Sequence, residues 1–114
     1  MAARGDVLSL RRAVGFLRDA RLERFLVLQA DRVTESIETV LVAPLDEALT
    51  LYSAMPGAVP ISAREAGARK RHVALLTQLM ALPLERFEPA AVGQIDRATR
   101  VRVDGTLRLV LDLA

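Results

Sequence analysis

The apolar runs of this chain are too short for ordinary helices. "FLVL" at 25–28 and "TVLVAPL" at 39–45 are each closed by polar or charged residues. Runs of roughly four to eight residues, rich in β-branched and aromatic side chains, read as buried strands. The same pattern recurs along the chain. "GDVLSLR" at 5–11 alternates polar with apolar and suits a half-buried strand. "RAVGFLRDARLE" at 12–23 holds Gly15 and five charges, and reads as a long loop or short amphipathic helix. It leads into a strand over 24–31, "RFLVLQAD". "DRVTES" supplies turn chemistry, and "ETVLVAPL" at 38–45 is the next strand, ended or edged by Pro44. Asp46 is a candidate N-cap for a helix over 46–54, which "MPG" at 55–57 breaks. "AVPIS" at 58–62 is a short edge strand, and "AREAGARKR" at 63–71 is polar and flexible. "HVALLTQLMAL" at 72–82 is the longest strand candidate, stopped by Pro83. "LERFEPAAVGQI" at 84–95 is a turn followed by a short strand. From Asp96 the period changes. Ala98, Val101, Leu107, Val110 and Leu111 share one helix face, capped by Asp96. Gly105 inside that helix costs about 1 kcal/mol against alanine. Strands first and one helix last define an α+β chain.

Size and composition narrow the function classes. With 114 residues the expectation is a single domain over 1–114, and 52% hydrophobic residues supply its core. A domain this small gains from a partner surface. No apolar stretch is long and uncharged enough for a membrane span, and "MAARGDVLSL" lacks the apolar region of a signal peptide. The absence of cysteine removes disulfides and thiolate metal sites. The expected setting is cytoplasmic. Net charge is +2, and fifteen of the sixteen basic residues are arginine, with Lys70 the exception. Arginine forks suit phosphate, although codon bias also enriches arginine. Phe16, Phe25, Tyr52 and Phe87 are the only aromatics, too few for a base-stacking platform.

The usual catalytic motifs are missing. His72 is the only histidine and heads an apolar run, which suits a core or edge histidine rather than a triad member. No His, Cys or carboxylate set has metal-ligand spacing, so no metal and no cofactor are expected. Gly15, Gly57, Gly67, Gly93 and Gly105 form no phosphate loop. Arginine, carboxylate, glutamine and hydroxyl groups are left. Such groups suffice for RNA cleavage, because the 2′-hydroxyl is an internal nucleophile. The protein must position it, take a proton and stabilise charge on phosphate.

The order of motifs resembles the MazF/PemK family of toxin endoribonucleases. "RGDVLSL", a loop with "VG", then "RFLVLQAD" and "IETVLVAPL" are similar to that family's N-terminal half. "HVALLTQLMALPLERF" resembles its "sv.l.dQirtidk.rl" segment through Gln78, Arg86 and Phe87. "VGQIDRATRVRVDGTLRLVLDL" resembles its closing helix. The resemblance implies a small twisted antiparallel SH3-like barrel with a C-terminal helix. It also implies a homodimer, a single-stranded RNA substrate, a cognate antitoxin peptide and metal-independent cleavage.

The site positions depart from the family pattern. Counting back from Gln29 puts Glu23 on the family's arginine position and Arg24 on the following proline position. Arg24 takes the arginine's place only if the strand is shifted or bulged, and a one-residue slip reverses the face. The family's threonine falls on Asp46, and the arginine and threonine of "Qirt" fall on Met80 and Ala81. Its leading serine is His72, and its acidic residue is Thr77. On the resemblance, Arg24 is the candidate stabiliser of the phosphorane and Asp46 the candidate base. Arg69, Lys70 and Arg71, with Arg11, Arg12, Arg18 and Arg21, are the candidate RNA-binding groups. "LLTQLMALP" and "FLVLQADRVTESIETVLVAPL" are also similar to CcdB gyrase inhibitors, which share the fold and need no nuclease site. Gyrase inhibition and a non-catalytic binding module of the same fold are the alternative expectations.

Overall fold

The structure, a computed structural model, describes residues 2–11, 23–47 and 55–113. Seven strands lie among these residues: β1 Asp6–Ser9, β2 Arg24–Val27, β3 Thr39–Asp46, β4 Ala58–Ile61, β5 His72–Leu75, β6 Met80–Pro83 and β7 Gly93–Gln94. Two single-turn helices, α1 Asp31–Thr34 and α2 Ala63–Ala66, interrupt them. A 3-10 turn over Leu84–Arg86 and the long helix α3, Arg97–Leu111, complete the order. The strands form one antiparallel curled sheet in the order β4-β5-β3-β2-β1-β7, with β6 also paired to β3. The α+β expectation and the barrel-like sheet with a C-terminal helix are both met.

The sheet curls around β3. One edge of β3 pairs with β2 from Val42 to Leu45. The other edge pairs with β6 through Val42 and with β5 from Leu45 onward. Pro44 sits between those two partners, opposite Phe25. It is therefore neither the end of the strand nor on a sheet edge. Proline has no N–H to donate. Its nitrogen faces the gap where β3 changes partner, so no ladder bond is lost.

Alternation explains why the runs are continuously apolar. Val7, Leu26, Ala43, Leu45, Ala74, Val59 and Ile61 fill one core, against Val103 and Leu107 of α3. Leu8, Phe25, Val27, Val40, Val42, Leu82 and Phe87 fill a second core on the opposite face. A strand buried on both faces carries no polar alternation. Phe25 and Phe87 meet edge to face, with ring centroids 5.7 Å apart. Gln29 ties the far end of the β2–β3 ladder. Its amide donates to the Thr34 hydroxyl and the Thr39 carbonyl, and its carbonyl accepts from the Leu41 N–H. The glutamine that anchors the family resemblance thus has a backbone-bridging role here.

Three segments also depart from the sequence expectation. The 72–82 run is two strands, β5 and β6, parted by a turn at 76–79. Asp46 is the last residue of β3 rather than a helix cap, and the rest of its expected helix (48–54) lies outside the described residues. The 63–71 segment is not a loose polar loop. Ser62 and Glu65 form a reciprocal capping box around α2. The Glu65 carboxylate also accepts from the Asp96 N–H at 2.8 Å, tying α2 to the start of α3.

Asp96 caps α3 as expected, accepting from the Thr99 N–H at 2.9 Å. The buried face differs from the expected one. Thr99 and Val103 are buried and Leu107 packs on the core, whereas Val101 is 66% exposed. The i, i+4, i+8 row that includes Thr99 wins because its hydroxyl also bonds the buried Glu65 carboxylate.

Two stability predictions follow from these contacts. No neighbouring atom lies within 4 Å of a Cβ built at Gly105. Gly105→Ala is expected to raise stability by about 0.5–1 kcal/mol, read as a higher Tm. For Glu65, burial acts to raise the carboxyl's pKa. The hydrogen bonds from Asp96, Thr99 and Ser62 together outweigh it and hold the group below its ordinary value near 4.5. The folded state then binds this proton less readily than the unfolded chain. The stabilisation is complete above the ordinary glutamate value and is lost as pH falls through the folded value. Glu65→Gln is expected to cost about 1–3 kcal/mol near neutral pH and to flatten the acid limb of denaturant-measured stability.

Candidate functional site at the strand ends

Antiparallel pairing brings the start of β2, the end of β3 and the start of β5 side by side. Arg24 lies opposite Leu45, Leu45 opposite Ala74, and His72 opposite Ile61. Paired residues point to the same face of a sheet, and the period is two. Leu26, Leu45, Ala74 and Ile61 all belong to the α3-facing core. Arg24 and His72 therefore continue that core row out to the sheet rim, and Glu47 follows Leu45 on the same side. An open concavity of about 470 Å³ lies there, lined by Arg24, Glu47, Gly67, Ala68, Arg69 and Lys70.

Arg24 is half-buried at its edge. Its Nη2 donates to the Gly67 carbonyl at 3.3 Å. Its Nε is buried and has no hydrogen-bond partner among the described residues. The Arg100 Nε is orphaned in the same way, so what Arg24 offers an anionic oxygen is the part of its guanidinium that lines the concavity. The ladder from Arg24 to Val27 is regular, so Arg24 reaches this face without a bulge. Gly67 is essential to the arrangement. Its φ is +62°, and a Cβ there would fall 2.0 Å from the Val92 carbonyl oxygen.

His72 lies just beneath the concavity, with its side chain only 2% exposed. Its Nδ1 is 2.9 Å from the Lys70 carbonyl, which assigns the proton to Nδ1. Its Nε2 is 3.9 Å from Glu47 Oε1, an ion pair when the ring is protonated. The histidine expected in the core is there; it holds the loop through Lys70, and it engages Glu47 when the ring is protonated.

The structure separates the two candidate catalytic residues. Arg24 shares a face with Leu45, so Asp46 takes the opposite face, that of Val40 and Val42. Asp46 is buried and already engaged by a polar neighbour. Among the basic candidates, Arg69 and Lys70 line the concavity with Arg24. Arg71 is exposed just before β5. Arg11 lies elsewhere: its Nε donates to the Phe87 carbonyl at 2.9 Å, beside a second cleft rimmed by Glu38, Glu85 and Glu88. Arg12, Arg18 and Arg21 fall outside the described residues. Met80 packs against the second core, and Ala81 is exposed on β6. Glu47 was not singled out by sequence reasoning. Its signal is the alternation that puts the residue after Asp46 back on the Arg24 face, and that requires the β2–β3 register. Among the described residues no group of three His, Cys, Asp or Glu side chains is placed to hold a metal ion. No helix among them is long and apolar enough to cross a membrane.

A curled antiparallel sheet with one long C-terminal helix and an arginine-lined concavity at its strand ends defines a small barrel-like module suited to an anionic ligand. The model of a family described as PemK-like, MazF-like toxin of type II toxin-antitoxin system matches residues 17–111. The chain belongs to that family, and is thus the toxin of a type II toxin–antitoxin pair. No curated protein matches the chain at a significant level. Among solved structures it is similar to the Mycobacterium tuberculosis toxin MazF-mt6, with 17% identity, TM-score 0.76 and coverage of 96% of this chain and 98% of that one. It is similar to an endoribonuclease in complex with its cognate antitoxin from Mycobacterial species, with 15% identity, TM-score 0.78 and coverage of 100% and 98%. The MazE-MazF complex of Deinococcus radiodurans matches at 18% identity, TM-score 0.73 and coverage of 99% and 98%. At these identities the likeness is one of fold.

Proposed function

We propose that this toxin is a metal-independent endoribonuclease. It cuts single-stranded mRNA in the cytoplasm, acts as a homodimer, and is neutralised by a cognate antitoxin peptide. Arg24, Arg69 and Lys70, gathered on one open concavity at the strand ends, carry this reading. A phosphate there meets the planar fork of Arg24 and the charges of Arg69 and Lys70. The similarity to an endoribonuclease solved with its antitoxin supports the same activity and the same kind of partner. The PemK/MazF family match favours this reading over gyrase inhibition. Arg24 binds the scissile phosphate and stabilises the charge that builds on it in the transition state.

The reading is tested with purified protein, a long RNA and EDTA, mapping the new 5′ ends. Discrete cuts are expected, and Arg24→Ala is expected to slow them by about 100-fold or more. Arg24→Lys is expected to restore little, because an ammonium cannot reproduce the fork. Absence of cuts with folded wild-type protein would leave a binding module of the same fold. In salt titrations of RNA binding, Lys70→Ala and Arg69→Ala are each expected to reduce the log–log slope by about 0.7, the signature of one lost phosphate contact to a single strand.

A further inference from the structure

We propose that Glu47 is the proton-transfer group of this site, with His72 as its positioning residue; the proposal rests on the nuclease reading above. The family resemblance assigns neither role. Asp46, the residue aligned with the family's threonine, faces away from Arg24, so the strand-end position on the Arg24 face belongs to its neighbour. Glu47 lines the same concavity as Arg24, Arg69 and Lys70. Its side chain is 47% exposed and so within reach of a bound strand. No ion pair joins it to Arg24 among the described residues, so the two groups line the concavity without neutralising each other. A phosphate against Arg24 then leaves Glu47 free to meet a 2′-hydroxyl in the same concavity.

His72 supplies the geometry. The imidazole is held at Nδ1 by the Lys70 carbonyl, and its Nε2 faces Glu47 Oε1 at 3.9 Å. It is too buried to meet RNA itself, at 2% side-chain exposure. As an imidazolium it draws the carboxylate from below across that 3.9 Å gap and, through Nδ1, ties it to the loop that carries Arg69 and Lys70. The cationic groups around Glu47 offset the repulsion between a carboxylate and a phosphate.

The chemistry balances without a cofactor. The 2′-oxygen attacks phosphorus as its proton passes to the Glu47 carboxylate. The O2′–P bond forms and the P–O5′ bond breaks. The departing 5′-oxygen takes a proton from solvent water, and the hydroxide so formed takes the proton back from Glu47. The products are a 2′,3′-cyclic phosphate and a 5′-hydroxyl.

The test uses the full chain in EDTA, with cleavage of a long RNA measured beside affinity for a 2′-O-methyl RNA that cannot react. Glu47→Gln is expected to lower kcat by about 100-fold while KM and the affinity for the unreactive RNA hold. Added formate is expected to return part of the rate to Glu47→Ala and none to Arg24→Ala. His72→Asn, whose amide N–H can still meet the Lys70 carbonyl, is expected to fold and to lose kcat rather than affinity. Wild-type rates in Glu47→Gln, with Arg24→Ala inactive, would overturn the role of Glu47 and leave the nuclease standing. Loss of both cleavage and RNA affinity in Glu47→Gln, with no formate rescue of Glu47→Ala, would also overturn it by making Glu47 a structural group. A wild-type protein that leaves RNA intact would remove the nuclease reading and this role together.

Discussion

Everything at the strand ends depends on β3 pairing along both of its edges. β3 holds β2 on one side, and β6 then β5 on the other. A single strand cannot serve three neighbours without a place to change partner. Pro44 stands at that place, where the missing N–H removes nothing from the ladder. The change of partner lets β5 start beside the end of β3, and β2 already starts there. Arg24, Glu47 and His72 come from three separate stretches of chain and meet because of this pairing.

A second constraint holds the other wall of the concavity. Buried Glu65 caps its own helix and accepts from the Asp96 N–H. A Cβ at Gly93 would lie 2.0 Å from the Glu65 carbonyl oxygen, so α2 and β7 approach at backbone contact distance. That closeness fixes Gly67, whose carbonyl receives Arg24. Glu65 and Arg24 are therefore linked by one short loop. The buried carboxylate has all its needs met, as a structural group should. The Arg24 guanidinium keeps its buried Nε without a partner among the described residues.

The family and the site carry different kinds of information. The toxin fold survives at 14–18% identity to solved relatives, because a strand buried on both faces needs only apolar residues of suitable volume. A site needs particular atoms at particular distances. Here the position aligned with the family threonine is filled by a buried aspartate on the face opposite Arg24. The adjacent glutamate and the single histidine lie on the Arg24 face.

The sequence alone determined that short apolar runs would form strands, that Asp96 would cap one closing helix, and that these together make an α+β barrel-like sheet. Those outcomes rest on local rules of period, capping and run length, which neighbours in the chain enforce. Tertiary structure alone decided that the 72–82 run breaks into two strands, that the 63–71 segment is anchored by Glu65, and that α3 buries Thr99 and Val103 rather than Val101. It alone separated Asp46 from Arg24 and joined Glu47 and His72 to the concavity. Each of these turns on strand register or on a buried hydrogen bond between distant residues. A shift of one residue reverses every side chain, and composition and periodicity along the chain do not state which pairing is made.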